Sequence, residues 1–250
     1  MNISANLRTV LESNPSICVL TGAGISAESG VPTFRGTDGL WSKFRPEELA
    51  NFDAFIRNPQ LVWEWYSYRR QLIDKVVPNP GHSALVKMEA ATEDFTLVTQ
   101  NVDNLHRRAG SKRVLELHGN IMRSYCIDCG RKEDHPDFSG KDRLPHCKSC
   151  GGLIRPDVVW FGEILPQETF LEAERAAERC GLFFSVGTSA IVYPAASLPM
   201  LAKQGGAYMV ELNTERTDQS GMFDETLLGK AGEILPSIAE VIQSKKDVKL

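Results

Sequence analysis

Ser16-Ile-Cys-Val-Leu20, running straight into Thr21-Gly-Ala-Gly24, is the stretch that decides the fold. A short apolar run that ends on a glycine turn reads as a buried strand feeding that turn. Similar runs recur at Phe95-Thr-Leu-Val98, Val114-Leu-Glu-Leu117, Leu182-Phe-Phe-Ser-Val186 and Tyr208-Met-Val-Glu-Leu212. Stretches suited to helices lie between several of them, at Gly81 to Ala91, Pro166 to Cys180 and Ala195 to Lys203. That alternation predicts a parallel sheet covered on both faces, a doubly wound α/β domain. Leu7 to Ser13 has helical character ahead of the first strand. Phe52 to Val76 is a further helical region, rich in aromatics, outside the alternation. Together with the cysteine segment described below it is expected to form a second, smaller domain.

Length and charge bound the rest. A chain of 250 residues, 42% hydrophobic, buries one good core and a smaller satellite. No apolar run approaches the roughly 20 residues that span a bilayer, and Met1 to Thr9 lacks the basic-then-apolar layout of a secretory signal. The expectation is a soluble, cytoplasmic protein without a membrane partner. A formal net charge of -4 argues against a general polyanion-binding surface, which needs many cations to neutralise phosphates, so direct nucleic-acid binding is not expected. No internal repeat is evident, and the Lys-rich tail Lys245 to Leu250 is expected to fray.

Four of the six cysteines fall in two CxxC pairs, Cys126-Ile-Asp-Cys129 and Cys147-Lys-Ser-Cys150, with 17 residues between the pairs. This is the spacing of a zinc ribbon, in which four thiolates complete a tetrahedral shell and leave no open position for chemistry. His135 and His146 are then surplus, and are expected at the surface. A nucleic-acid ribbon is disfavoured, because Arg123 to Arg155 carries seven Lys/Arg against five Asp/Glu. Cys18 and Cys180 sit in apolar runs and read as small buried hydrophobes.

Gly22-Ala-Gly24-Ile-Ser-Ala27 fits the G-x-G-x-x-G/A pattern that lets backbone N–H groups approach a pyrophosphate. Gly30 and Pro32 follow at once and stop a long helix from starting at this turn, so the chain continues as a loop from Val31 to Gly39. Val186-Gly187-Thr188-Ser189 and Glu211-Leu-Asn213 end later strands, and ordinary turns account for either one taken alone. Thr99-Gln100-Asn101-Val102-Asp103 sets amide and carboxylate groups at the carboxyl edge of the sheet, where doubly wound folds bind ligands. Leu117-His118-Gly119 ends another strand there. A lone histidine is more often structural than catalytic, but this position makes His118 the candidate general base.

Thr21-Gly-Ala-Gly-Ile-Ser26, Gly30-Val-Pro-Thr-Phe-Arg35, Thr99-Gln-Asn-Val-Asp103, His118-Gly119, the paired CxxC and Gly187-Thr-Ser189 together resemble the motifs of the sirtuin family, in the family's order and over nearly the whole chain. Gly229-Lys-Ala-Gly-Glu-Ile-Leu-Pro236 resembles its C-terminal cofactor loop. The resemblance implies a Rossmann-like NAD-binding domain (1–36, 81–121 and 157–250) and a small helical and zinc-ribbon domain (37–80 and 122–156). NAD and an acyl-lysine protein or peptide would meet in the cleft between them. NAD is consumed there: the acyl oxygen attacks the ribose carbon bearing nicotinamide, nicotinamide leaves, and His118 acts as base on a ribose hydroxyl. The products would be free lysine and O-acyl-ADP-ribose. By the same resemblance Asn101 and Asp103 hold the nicotinamide carboxamide, while Gly187, Ser189, Asn213 and Ala231 contact the adenosine half. Gly22, Ala23, Gly24, Ser26, Ala27, Phe34, Arg35, Trp41, Gln100 and Thr188 complete the NAD site. One structural zinc is held by Cys126, Cys129, Cys147 and Cys150.

Val159-Trp-Phe-Gly-Glu163 resembles the family's peptide-binding segment, where Val159, Phe161 and Gly162 would receive the substrate as an added strand. It carries Trp160 where Phe is frequent. In Trp63-Glu-Trp-Tyr66-Ser-Tyr-Arg69-Arg70, Tyr66 and Arg69 share a helix face. From periodicity alone this is an amphipathic helix with its arginines solvated. The spacing Tyr-x-x-Arg at this place resembles instead the sirtuin subgroup that removes succinyl and malonyl groups, with Ala50 leaving room for the longer chain. The competing functions are mono-ADP-ribosyl transfer to protein and a non-catalytic sensor of NAD or ADP-ribose.

Overall fold

The computed structural model describes residues 3–33, 46–139 and 143–248. β1 (Ile17–Thr21) sits inside a six-stranded sheet with β2 (Phe95–Thr99), β3 (Val114–Glu116), β6 (Leu182–Val186), β7 (Tyr208–Asn213) and β8 (Glu225–Leu228). Their spatial order is β3-β2-β1-β6-β7-β8, and every neighbouring pair is parallel. The chain therefore winds outward one way from β1 and then the other way from β6, which opens a crevice at their carboxyl ends. The expected doubly wound, Rossmann-like sheet is what forms.

Helices cover both faces because both faces of the central strands are apolar. Ile17 and Val19 of β1, Leu97 of β2, Phe184 of β6 and Val210 of β7 face one side. They pack there on α1 (Ala5–Glu12), α6 (Pro80–Ala91) and α10 (Ala231–Val248) through Leu7, Leu85, Met88, Leu235 and Ile238. Cys18, Leu20, Val98, Phe183 and Met209 face the other side, against Ala173 and Ala177 of α8 (Gln167–Arg179) and Leu198 and Ala202 of α9 (Leu198–Gln204). Cys18 and Cys180 are buried here, as their apolar neighbours imply. In α10 the buried positions Ala231, Ile234, Leu235, Ile238, Ala239 and Ile242 follow the 3.6-residue period. Each fully buried aliphatic side chain contributes roughly 1.5–3 kcal/mol of transfer free energy.

A third apolar cluster joins α3 (Pro46–Leu49), α4 (Phe52–Arg57) and α5 (Pro59–Lys75) to a two-stranded antiparallel sheet of β4 (Gly119–Cys126) and β5 (Ile154–Val158). Trp63 donates its indole N–H to the carbonyl of Ile154 at 2.8 Å. Arg70 donates to the carbonyls of Ile121 and Arg123 and to Ser124, which fixes α5 across β4.

Several elements differ from expectation. The helical region Phe52 to Val76 breaks into α4 and α5, because Asn58 leaves helical geometry to cap Leu61 N–H ahead of Pro59. The glycine turn holds a five-residue helix, α2 (Ala23–Ala27), which ends before Gly30. β3 stops at Glu116, so His118 lies in the corner leading to β4 and not on the strand end. The tail expected to fray continues α10 as far as Val248. β4, β5, β8, α10 and a short helix α7 (Leu105–Ala109) had no clear sequence signal. No helix among the described residues is long and apolar enough to cross a membrane.

Behind the crevice, α6 and α7 bring two buried histidines together, His82 and His106, with ring centroids 4.9 Å apart. Burial lowers the pKa of His82 to about 4, and burial together with the His82 ring lowers that of His106. Both stay neutral when folded, whereas in the unfolded chain they titrate near 6.5. Below about pH 6.5 the unfolded state binds protons that the folded state refuses, so stability is present above that pH and is lost as pH falls toward 4. His82 alone should cost roughly 2 kcal/mol between pH 7 and pH 5. Urea unfolding at the two pH values should register this loss, and it should shrink by about that amount in His82→Gln; an equal loss in the variant would contradict the assignment.

Candidate active site

The crevice forms where the turn after β1 meets the turn after β6. Gly22 N–H donates to the carbonyl of Val186 and Gly24 N–H to that of Gly187. A Cβ on Gly22 would lie 2.7 Å from the Gly187 carbonyl oxygen, and one on Gly24 would lie 2.6 Å from Gly187 Cα. Gly187 itself has φ +58° and would drive a Cβ to 2.5 Å from Ile25 N. Only glycine fits at these three places. Around them opens a cleft of about 910 Å³ that takes in the carboxyl ends of β1, β2, β6, β7 and β8.

Of the residues that sequence assigned to NAD, Gly22, Ala23, Gly24, Ala27, Gln100, Asn101, Gly187, Thr188, Ser189, Asn213 and Ala231 line this cleft. Ser26 and Asp103 are buried and not among its lining. Phe34, Arg35 and Trp41 lie outside the described residues. Asn101 donates its side-chain amide to the Gly22 carbonyl at 2.9 Å and to Ser26 Oγ at 3.3 Å. Its backbone N–H donates to Thr99 Oγ1. Gln100 bridges to Thr188 Oγ1 at 2.9 Å, and Asn213 donates to the Thr188 carbonyl at 3.3 Å. Asp103 accepts Leu105 N–H. Its carboxyl is raised above the usual range by burial, against the opposing pull of that N–H, Ser26, Arg69 and Arg108.

His118 is half-buried in the cleft wall. Its carbonyl accepts Val159 N–H at 3.0 Å, and its Nδ1 lies 2.9 Å from the carbonyl of Gln100. A carbonyl only accepts, so Nδ1 carries the proton and Nε2 keeps its lone pair. Burial lowers the ring's pKa, with the Gln100 bond opposing, so the imidazole is neutral at pH 7. Gly119 makes the corner possible: at φ +78°, a Cβ there would sit 2.2 Å from the Asp157 carbonyl oxygen.

Ala50, Trp65, Tyr66 and Arg69 form the far wall with Val159, Trp160, Phe161 and Gly162. Arg69 is only 6% exposed, so the solvated-arginine reading of this helix does not hold. Its guanidinium lies 4.8 Å from the Trp65 ring centroid and 5.9 Å from that of Tyr66. Phe161 and Gly162 are exposed, and Phe161 N–H donates to the Ala50 carbonyl at 3.0 Å.

Away from the cleft, the Sγ atoms of Cys126, Cys129, Cys147 and Cys150 all lie within 4.8 Å of one another, with 3.4 Å between Cys126 and Cys150 and 3.7 Å between Cys129 and Cys147. Tetrahedral zinc with Zn–S bonds of about 2.3 Å needs sulfurs about 3.8 Å apart, so the four thiols fit the ion. Backbone N–H groups of Ser149 and Cys150 pull the Cys147 thiol down to about 7, toward the thiolate a metal takes. His135 and His146 are exposed, outside this set.

The sequence reading missed Glu28, Thr214, Glu215, Lys230 and Glu233, which also line the cleft. Most of them follow β7 and β8, so the rule that ligands collect at strand carboxyl ends would have found them had β8 been visible. It also missed the buried link in which His106 Nε2 meets Thr21 Oγ1 at 2.9 Å and Thr21 donates to Thr99 Oγ1 at 2.8 Å.

The model of the Sir2 family matches residues 22–194. An NAD-dependent protein deacylase of Aquifex aeolicus is 51% identical over 232 residues, 93% of this chain and 97% of its own. One of Pyrococcus abyssi is 49% identical, over 94% of this chain and 96% of its own. Among solved structures, a Sir2 homologue in complex with ADP-ribose superposes with a TM-score of 0.92 at 41% identity, over 99% of this chain and 100% of that one. A Sir2 structure with a deacetylated peptide and 3'-O-acetyl ADP-ribose gives 0.82 at 33% identity, over 96% of this chain and 97% of that one.

The four-thiol site generates a direct test. Protein purified without chelator should carry one zinc per chain by metal analysis, and Ser in place of any one of the four cysteines should lower the unfolding temperature, since such sites contribute to folding itself. Less than half a zinc per chain would rule the site out.

Proposed function

The chain belongs to the Sir2 family, and from that premise we infer that it is an NAD-dependent protein deacylase whose cleft takes acyl groups ending in a carboxylate, succinyl and malonyl, as well as acetyl. NAD, when bound, supplies the ADP-ribosyl group that accepts the acyl chain and releases nicotinamide. Everything else falls to residues of this chain. Gly22, Ala23 and Gly24 bring backbone close to the cofactor's phosphates, Asn101 with Asp103 behind it holds the carboxamide end, and Gly187, Ser189, Asn213 and Ala231 hold the adenosine half. The acyl-lysine strand lies along Val159 to Gly162, with its acyl chain directed past Ala50 toward Tyr66 and Arg69. His118 Nε2 takes the proton of a ribose hydroxyl so that the acyl group ends as O-acyl-ADP-ribose.

The observation that carries the acidic-acyl reading is the burial of Arg69 in the cleft wall beside Tyr66. A carboxylate entering the cleft would meet a guanidinium and a phenol on one wall, and a guanidinium makes charge-assisted hydrogen bonds to such a group. Rates on acetyl-, malonyl- and succinyl-lysine versions of one peptide, with O-acyl-ADP-ribose and nicotinamide measured together, test both parts. Nicotinamide release without O-acyl-ADP-ribose would favour ADP-ribosyl transfer to protein.

Two variants sharpen this. His118→Ala should cut deacylation by about 100- to 10,000-fold and abolish the acid limb of the pH profile. In the wild type that limb should fall below pH 6.5, since the base must be unprotonated and burial lowers its pKa. Turnover of His118→Ala within a few-fold of wild type would remove His118 from the mechanism. Arg69→Met should lower the succinyl-to-acetyl ratio of kcat/KM by about 10- to 150-fold, the worth of about 1.5–3 kcal/mol for a charge-assisted hydrogen bond. An unchanged ratio would reject the acidic-acyl reading and leave the deacylase assignment standing.

A further inference from the structure

Trp160 is fixed more firmly than a packing residue needs to be. Its backbone N–H donates to Glu163 Oε2 at 2.7 Å. The same carboxylate pairs with Arg155, whose guanidinium carbon lies 3.4 Å from the Trp160 ring centroid. Arg155 is itself buried and donates to the Val158 carbonyl at 2.8 Å. On the far side of the indole, Trp160 Nε1–H donates to the Tyr66 hydroxyl at 2.7 Å, across 94 residues of sequence. Tyr66 is 1% exposed, and this is the one hydrogen bond of its side chain among the described residues.

The chemistry of the two groups gives that bond a direction. An indole N–H only donates, so the phenol oxygen is the acceptor. The phenol has a single proton, which is thereby turned away from Trp160 and left to donate elsewhere. Accepting a hydrogen bond also polarises an O–H and makes it a better donor. The Arg155 cation over the indole face draws density from the ring, which strengthens the N–H in the same sense. Tyr66 and Trp160 both line the cleft, with Arg69 stacked beside them.

We propose that Trp160 is a specificity-determining residue that orients and polarises the Tyr66 hydroxyl, so that Trp160 and Tyr66, with the Arg155 cation over the indole, act as a donor relay toward the distal carboxylate of the acyl group. The proposal rests on the acidic-acyl reading above. Phe in place of Trp160 keeps an aromatic ring but removes the indole N–H and part of the ring's packing, so the relay is read from the ratio between substrates and not from the rate on one of them. Trp160 lies in the segment that receives the substrate strand, and its influence on the choice of acyl group passes through Tyr66.

A double-mutant cycle on Trp160→Phe and Tyr66→Phe tests this, with the succinyl-to-acetyl ratio of kcat/KM as readout. Trp160→Phe should lower the ratio by about 2- to 10-fold, the range of one neutral hydrogen bond. The double variant should lower it no further than Tyr66→Phe alone, because the relay has already lost its last member. If Trp160→Phe slows both substrates equally, or if the two effects multiply, Trp160 serves packing only and the relay is wrong. A drop in ratio with Tyr66→Phe but none with Trp160→Phe overturns the relay and leaves the acidic-acyl reading intact. No drop with Tyr66→Phe or Arg69→Met overturns both. A measurement on the unaltered protein covers the case in which Trp160→Phe does not fold. The indole N–H proton resonance of Trp160 should move further downfield with succinyl-peptide than with acetyl-peptide, and equal shifts would overturn the relay.

Discussion

Everything in the cleft depends on two backbone turns meeting with no room for a side chain between them. The carboxyl ends of β1 and β6 are neighbours in the sheet, and the chain leaves them in opposite winding directions. Their turns would normally be held apart by Cβ atoms. Gly22, Gly24 and Gly187 remove those atoms, and the N–H groups of Gly22 and Gly24 bond straight across to Val186 and Gly187. With the turns interlocked, the floor of the crevice is main chain, fixed at two strand ends and unable to collapse. The near wall is positioned from that floor: Asn101 hangs on the Gly22 carbonyl and Gln100 on Thr188. His118 is then placed by the Gln100 carbonyl.

A layer of buried polar groups beneath the floor holds the strand ends in register. Thr21 and Thr99 lie opposite each other on β1 and β2, joined hydroxyl to hydroxyl. Thr99 also accepts the Asn101 N–H, and His106 closes the row on Thr21. On the other flank Glu211, 1% exposed, accepts from Thr217, Ser220 and Thr226 and so ties the loop after β7 to β8. An unsatisfied carboxylate at that depth would cost several kcal/mol, which makes the three hydroxyls a condition for burying it at all. These networks serve precision at the cleft more than stability, because paired buried polar groups add little net free energy but tolerate few alternative arrangements.

Local pattern and distance in sequence divide what was legible from what was not. β1, β2 and β6 are buried on both faces, so they stand out as unbroken apolar runs, and glycine turns directly follow β1 and β6. The two CxxC pairs carry their chemistry in a four-residue spacing that needs no tertiary information. β8, by contrast, is a half-buried edge strand whose Glu225-Thr-Leu-Leu228 has no run to read. β5 carries Pro156, which argues against a strand in any sequence-based reading yet is tolerated in a two-stranded ribbon. α10 contains Pro236 within its first two turns and so reads as loop. The burial of Arg69 was illegible because helical periodicity says which residues share a face, not whether that face meets water or a cleft.

Arg69 carries a guanidinium into the buried wall of the cleft. Burial pulls its pKa down, while the Tyr66 and Asp103 side chains pull the other way, and the Trp65 ring covers one face of the guanidinium. Asp103 is itself buried, and burial raises its carboxyl. The helix therefore presents a cation to the cleft beside Tyr66, with Ala50 on the same wall. A wall for acetyl-lysine alone is better served by apolar side chains, which pack a methyl group without any charge to compensate. On the reading proposed above, a cation and a phenol on one wall of the cleft complement a short chain that ends in a carboxylate.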